Sequence, residues 1–378
     1  MRGRRLPHIV GIMNIDTKQR LSDLRIRMSE SGVDLVAVGP GSHMQWLVGF
    51  HPHPDERPCL LLVGLETEIF LMPILNAEGS RENTDIEFHT WRDTDGPDAA
   101  VASCLSVIGA TKAAVVVIDE TMRVDFGLLL LNALPGVRHR FTGDTLGKLR
   151  MRKQDREFRL LKMNAGIADF VLQMAFAAIR PGMTESDLTR EIRAHFAAQG
   201  AETEFTIVGA GPNGAFPHHQ SGQRKFLAGD SVVIDIGARK NGFPSDITRM
   251  AVVGFPPEGY LEIHAVVEQA LTAALIAAQP GAKALDVDRA ARSVISEFGY
   301  GKFFVHRTGH GLGIDGHEQP YLTATSQTTL ELGMVFSIEP GIYIPGRFGV
   351  RLEEIVILRA NGPEILSNIT RDLYVAEV

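Results

Sequence analysis

Apolar and polar positions give the chain two textures. Up to about residue 150, short apolar runs alternate with helical periods. Thr17 to Gly32 is helical in period, and Leu35 to Val38 is the centre of a short buried strand. LLLVGLE (60–66) and TEIFLMP (67–73) pair as strands, and AAVVVID (113–119) is another ahead of a helical FGLLLLNAL (126–134). Strands alternating with helices predict an α/β domain of roughly 130 residues. From about Gln154 the pattern changes to a long amphipathic helix ended by Pro181-Gly182. Thr184-Glu-Ser-Asp187 then forms a capping-box pattern that opens a second helix through Ala198, closed by Gly200. The same grammar returns at an offset of 99 residues: Pro280-Gly281, Asp286, Arg289, Arg292, Gly299 and Phe304 match Pro181-Gly182, Asp187, Arg190, Arg193, Gly200 and Phe205. That many matches at one offset predict two related halves about a pseudo-twofold axis, with a site formed between them.

Two acids break the apolar pattern of Ser231 to Arg249, SVVIDIGARKNGFPSDITR. Val232, Val233, Ile234 and Ile236 are strand formers, Asn241-Gly242 is a tight-turn signal, and Asp246 to Val253 resumes the β-branched run. With Asn241 and Gly242 at the centre of the turn, Asp246 faces Gly237, and Asp235 lies diagonally across on the same face, within roughly 7 to 8 Å. Two buried carboxylates side by side are costly unless a cation joins them. In the second half Met334 to Ile338 reads as a strand leading to Glu339, and Val350 to Leu358 as another carrying Glu353 in its interior. Between them lies HRTGHGLGIDGHEQP, whose glycines 309, 311 and 313 let the backbone fold tightly around His310.

Four carboxylates and one imidazole make an oxygen-dominated site whose charge is balanced by two divalent ions. Two ions roughly 3.5 to 4 Å apart can acidify a shared water and polarise a carbonyl together. Taken singly, a buried histidine such as His310 is more often a hydrogen-bonded core residue, and Glu354 beside Glu353 reads as solvated or as a group behind the ligands. The concurrence of acids inside apolar strands, in two related halves, around a glycine-wrapped histidine is what favours a metal centre.

Composition narrows the class without choosing a chemistry. A chain of 378 residues, 44% hydrophobic and 22% charged, can bury a sizeable core and is expected to hold two domains. A net charge of −7 points to no nucleic-acid or anionic-membrane partner. Cys59 and Cys104 lack zinc-ligand spacing and are expected to be reduced core thiols. The N-terminal MRGRRLPHIVGIM is read as an extension before a domain starting near Asn14, and no stretch is expected to cross a bilayer, so a soluble cytoplasmic protein is anticipated. HPHPDERP, with His51 and His53, is expected to be a solvated loop.

In order along the chain stand PHH (217–219), DIG, SDITR, GHGLG with His317-Glu318, IEPGIY and GVRLEE. Together they resemble the pita-bread metallopeptidases, and the two-domain layout is similar to the aminopeptidase P, prolidase and creatinase branch. The resemblance implies an α/β (α+β) chain: an extension over residues 1–13, a creatinase-like N-terminal α/β domain over 14–150, and a pita-bread catalytic domain with internal pseudo-twofold symmetry over 151–378. It makes Asp235, Asp246, His310, Glu339 and Glu353 the ligands of two divalent ions, manganese first and cobalt, zinc or iron as alternatives, with Asp246 and Glu353 bridging. It places His218 and His317 against substrate, Glu339 as proton shuttle, and Tyr343 and Arg351 behind the ligands. His306 is read either as a pocket residue or as packing. The implied reaction is hydrolysis, by a metal-bridging hydroxide, of the bond preceding proline in short peptides, in a homodimer to which the His51–His53 loop contributes a contact. Many prolidases carry a basic residue where this chain has Tyr321, which weakens strict dipeptidase activity. Gly237 replaces an acid found in sulfonium-cleaving relatives. A non-peptide C–N or amide substrate, and a catalytically silent binding protein, are the alternatives.

Overall fold

The computed structural model describes residues 16–377, so the extension expected over residues 1–13, and the domain start near Asn14, lie outside the described residues. The chain divides into two compact units, residues 1–150 and 151–378.

In the first unit β1 (Leu35–Val38), β2 (Leu60–Gly64), β3 (Glu68–Pro73), β4 (Phe88–Trp91), β5 (Val115–Ile118) and β6 (Arg138–Arg140) form one mixed sheet, ordered β4-β3-β2-β1-β5-β6. Helices α1 (Thr17–Ser31), α2 (Ser42–Val48), α3 (Ile74–Arg81), α4 (Asp98–Val107), α5 (Val124–Ala133) and α6 (Leu146–Met151) alternate with these strands. β1, β2 and β5 are buried along their whole length, which is why they read as unbroken apolar runs. Cys59 and Cys104 are buried free thiols, each pushed up to about 12 chiefly by burial. His51 and His53 are exposed.

The second unit repeats one plan. Helices α7 (Asp155–Ala178) and α8 (Glu185–Ala198) lead to β7 (Glu202–Ala210), β8 (Ser231–Lys240), β9 (Phe243–Pro244) and β10 (Ile247–Val253). Helices α9 (Tyr260–Ala277) and α10 (Ala284–Glu297) lead to β11 (Gly309–Gly311), β12 (Glu318–Leu322), β13 (Val335–Ile338), β14 (Gly341–Ile344), β15 (Phe348–Arg351), β16 (Glu354–Arg359), β17 (Gly362–Ile365) and β18 (Tyr374–Ala376). The sheets run β18-β10-β8-β7, with β9 on β8, then β12-β11-β13-β16-β17 and β14-β15. α8 and α10 are 99 residues apart from first residue to last. In α8 the Thr184 hydroxyl accepts from the Asp187 amide at 3.1 Å, while Asp187 accepts from the Thr184 amide at 3.0 Å. Each helix pair packs its apolar face on a sheet of its own half, and the α9–α10 core also takes in Val233, Met250 and Val252 from β8 and β10.

Two expectations need correction. Val350 to Leu358 is not one strand: β15 ends at Arg351 and pairs with β14, whereas β16 begins at Glu354 and pairs with β13. Glu353 therefore sits where the chain passes from one sheet to another, and its carboxylate is released from the alternation of a strand. By length and mean hydropathy of 1.2, α7 and α9 also qualify as candidate bilayer spans, contrary to expectation. Their apolar residues are those of the two cores, Leu172 and Phe176 from α7 and Val267 and Leu271 from α9 among them.

Candidate metal centre

The β8–β10 hairpin brings the first acids together. Lys240 pairs with Phe243, Arg239 with Pro244 and Ile236 with Ile247, one register throughout, which sets Asp246 opposite Gly237. Asn241 and Gly242 occupy the turn at φ 53° and 82°, as a tight hairpin of this hand requires. At Gly237 a Cβ would come within 2.2 Å of the Phe205 ring and 2.5 Å of the Ser245 carbonyl oxygen, so only glycine lets the hairpin close with its acids in place. β11 carries His310 and lies so near β13 that a Cβ on Gly309 would sit 1.9 Å from the Ser337 carbonyl oxygen.

One donor atom each from Asp235, Asp246 and Glu353 lies within 4.8 Å of the others, and the same holds for His310, Glu339 and Glu353, and for Asp246, His310 and His317. All five expected ligands thus converge, with Glu353 common to two groups. His310 Nδ1 faces the Gly311 carbonyl oxygen at 3.1 Å, which turns Nε2 inward, 3.3 Å from Glu339 and 3.7 Å from Asp246. The Ser337 hydroxyl accepts from the His310 amide at 2.9 Å and donates to Glu339 at 3.1 Å. Arg351 donates to Asp235, to the Thr248 hydroxyl at 3.1 Å and to the Tyr343 hydroxyl at 2.8 Å. Thr248 in turn donates to Glu353 Oε2 at 2.9 Å. His306 Nε2 faces the same Tyr343 hydroxyl at 2.8 Å, so His306 belongs to this support rather than to loose packing.

Each of two expected ligands keeps one buried oxygen without a partner, Asp235 Oδ1 and Glu353 Oε1. Burial first, then the charges of Glu353, Asp235 and Glu339, pushes Asp246 well above the usual carboxylate range. Glu353 is likewise raised, by burial and then by Glu339 and Asp235, and Asp235 is raised by burial against the pull of Arg351. Glu339 differs: burial raises it, but its hydrogen bond to His310 and that ring's charge outweigh burial and bring it to about 2. Three of four carboxylates thus favour holding protons. Cations satisfy the two orphaned oxygens and remove the mutual repulsion, so this donor set fits divalent metal binding.

His317 is exposed, with its ring 3.8 Å from that of His310, and burial followed by His310 and Arg307 lowers it to about 4. His218 is exposed on the segment after β7 and does not join the clustered donor atoms among the described residues. Sequence reasoning passed over Thr248, Ser337 and Arg307. Thr248 and Ser337 each sit two residues from an expected ligand, Asp246 and Glu339, and Arg307 stands in HRTGHG, so proximity was the available signal. Arg307 Nη2 donates to His317 Nδ1 at 3.0 Å, and its guanidinium lies 4.6 Å from the Tyr321 ring centroid. Because arginine only donates, neutral His317 carries its proton on Nε2. Glu354 is buried against Arg249 at 2.8 Å, raised to about 7 by burial despite Arg249 and Arg371. A further group in the first unit, His43, Asp119 and Glu120, spends its atoms on Arg150, Thr142, Thr121 and the Gly39 amide. It is a hydrogen-bonded joint of the fold.

The chain matches the metallopeptidase family M24 over residues 159–360 and the creatinase/prolidase N-terminal domain over residues 20–152. It is 35% identical to a probable dipeptidase PepE of Mycobacterium tuberculosis over 95% of its length and 96% of that protein. It is 32% identical to an Xaa-Pro dipeptidase of Lactobacillus delbrueckii subsp. lactis, over 97% of this chain and 100% of that protein. Among solved structures, dipeptidase PepE from Mycobacterium ulcerans superposes with a TM-score of 0.92 at 34% identity, covering 96% of this chain and 100% of that one. The recombinant prolidase of Thermococcus sibiricus gives 0.88 at 35%, covering 96% and 99%. With a creatinase/prolidase N-terminal domain ahead of a catalytic domain whose buried carboxylates suit divalent metal ions, the chain belongs to the M24 metallopeptidases and is a peptidase.

Proposed function

We propose that this peptidase hydrolyses the bond preceding proline in short peptides, using two divalent ions held by Asp235, Asp246, His310, Glu339 and Glu353, with manganese the expected metal. The observation that carries the dinuclear reading is the pair of orphaned buried oxygens, one on Asp235 and one on Glu353, facing a cluster of four carboxylates and one imidazole. When bound, two such ions supply a water of lowered pKa and polarise the scissile carbonyl. The remaining work falls to the protein. Glu339 is the one carboxylate of the four that is held ionised, and it stands at the rim of the cluster, so it has a free site to accept a proton. It passes the proton towards the leaving nitrogen, which before proline is a secondary amine. His317 Nε2–H donates to the oxygen on which negative charge develops. His218 is the second histidine expected to contact substrate. Arg351, Thr248 and Tyr343 hold Asp235 and Glu353 in register, as groups behind metal ligands do.

The substrate class is supported by relatives named Xaa-Pro dipeptidase. Metal-stripped protein, reloaded with manganese, cobalt or zinc in turn, is assayed on Gly-Pro or Ala-Pro dipeptides, an Xaa-Pro tripeptide, and the same peptides with alanine in place of proline. Metal-dependent cleavage of the proline-containing members alone is the expected result. Binding of two ions without cleavage of any of them moves the assignment to a non-peptide amide.

A further inference from the structure

The repeat at an offset of 99 residues places two pockets that share four helix positions and differ in the rest of their lining. On α8 the face Ser186, Thr189, Arg190 and Arg193 lines one; on α10 the counterparts Leu285, Asp288, Arg289 and Arg292 line the other. On α10 the pocket is small, about 210 Å³, and its arginine is fully employed. Arg292 grips both oxygens of Asp288 at 3.0 and 2.9 Å and donates to the carbonyl oxygens of Phe304 and His306 at 3.0 and 2.9 Å.

On α8 Thr189 stands where α10 has its aspartate, and the pocket there measures about 610 Å³. Arg193 is exposed and has no hydrogen-bond or ion-pair partner among the described residues. Thr189 and Thr206 are among the lining residues, with their own hydroxyls buried without a partner; the Thr189 residue is only 8% exposed. Buried hydroxyls of this kind ordinarily find a partner. The neighbouring charges are already spent: Arg190 pairs with Asp187, and His219 with Glu185. His218, expected to touch substrate, forms part of the same wall.

We propose that the α8 pocket is a carboxylate subsite. Arg193 offers the fork that Arg292 gives to Asp288, in a lining that holds two arginines, two histidines and no carboxylate. The occupant is the C-terminal carboxylate of a peptide running past His218 from the metal centre. Only this choice of occupant rests on the peptidase reading above.

Thr189→Asp is the decisive variant, because it installs an arrangement the same fold already holds on α10. The manganese-loaded enzyme is assayed on an Xaa-Pro-Xaa tripeptide with a free C-terminus and on its C-terminal amide. The wild type is expected to prefer the acid, through KM, by about tenfold, since a charge-assisted pair of hydrogen bonds is at stake. Thr189→Asp and Arg193→Met each reduce the acid-to-amide ratio to near one. An unchanged ratio in both variants overturns the proposal. If neither tripeptide is cleaved, the substrate assignment has failed, and calorimetric titration of the same protein with the tripeptide acid still reads the pocket. Binding lost in Thr189→Asp supports the subsite, and equal binding overturns it. Acetate alone giving heat that Thr189→Asp abolishes would make the pocket a free-anion site and overturn the peptide occupant.

Discussion

Replacing Glu353 by glutamine should stabilise the metal-free protein while removing its response to metal. The carboxylate is buried, one of its oxygens has no partner, and donor atoms of Asp235 and Asp246 lie within 4.8 Å of it. At an effective dielectric of 20, two unit charges 4.8 Å apart repel by about 3 kcal/mol. Proton uptake by Asp246 relieves part of this, so Glu353→Gln should recover about 1 to 3 kcal/mol at pH 8. For a cooperative unit the size of residues 151–378, that corresponds to roughly 2 to 12 °C in Tm. Glutamine keeps the shape and still accepts from Thr248, so little packing is lost. Thermal melts of chelator-treated and manganese-loaded protein supply the measurement. Stripped Glu353→Gln should melt above stripped wild type, and manganese should reverse the order, because only the wild type gains from binding. A stripped variant that melts below the stripped wild type would refute the electrostatic account and leave Glu353 as a structural hydrogen-bond acceptor.

The same electrostatics sets a pH dependence. Asp246 and Glu353 are raised in the folded state, so their contribution is complete below their unfolded values near 4 and is lost as pH rises through the folded ones. His317, lowered to about 4, acts oppositely but only below pH 6.5, and Glu339 only between about 2 and 4.5. Stripped protein should therefore lose Tm relative to metal-loaded protein as pH rises above 6.5, where His317 no longer opposes the effect; a stripped protein that gains Tm relative to the loaded one over that range contradicts the assignment. Gly237→Ala should destabilise the protein by about 1 to 3 kcal/mol and weaken metal binding, since the Phe205 ring can move but the Ser245 carbonyl cannot; denaturant unfolding and metal titration report both. Arg351→Met should lower metal affinity or kcat by roughly 10- to 100-fold by freeing Asp235 and the Thr248 hydroxyl, and unchanged values would show that neither ligand needs that brace.

What the sequence determined by itself was local. Asn241-Gly242 dictates a two-residue turn, and a turn of known type sets the pairing of every residue that follows, so the facing of Asp246 and Gly237 was legible before any coordinates. The helix repeat was legible for the same reason: caps and terminal glycines act within one turn of the helix they end. Tertiary structure decided what depends on residues far apart in the chain. VRLEEIVIL alternates like one strand with Glu353 inside it, but its two ends pair with different strands and the break falls at Glu353. Thr248 carries no mark of its role, since its hydroxyl joins Arg351 to Glu353 from 103 and 105 residues away. The two halves looked alike in sequence, and only packing shows that Asp288 fills its arginine's pocket whereas Thr189 leaves the other open. Periodicity, turns and caps are short-range physics and can be read along the chain; hydrogen-bond satisfaction in a buried site is a sum over neighbours that only the folded chain brings within reach.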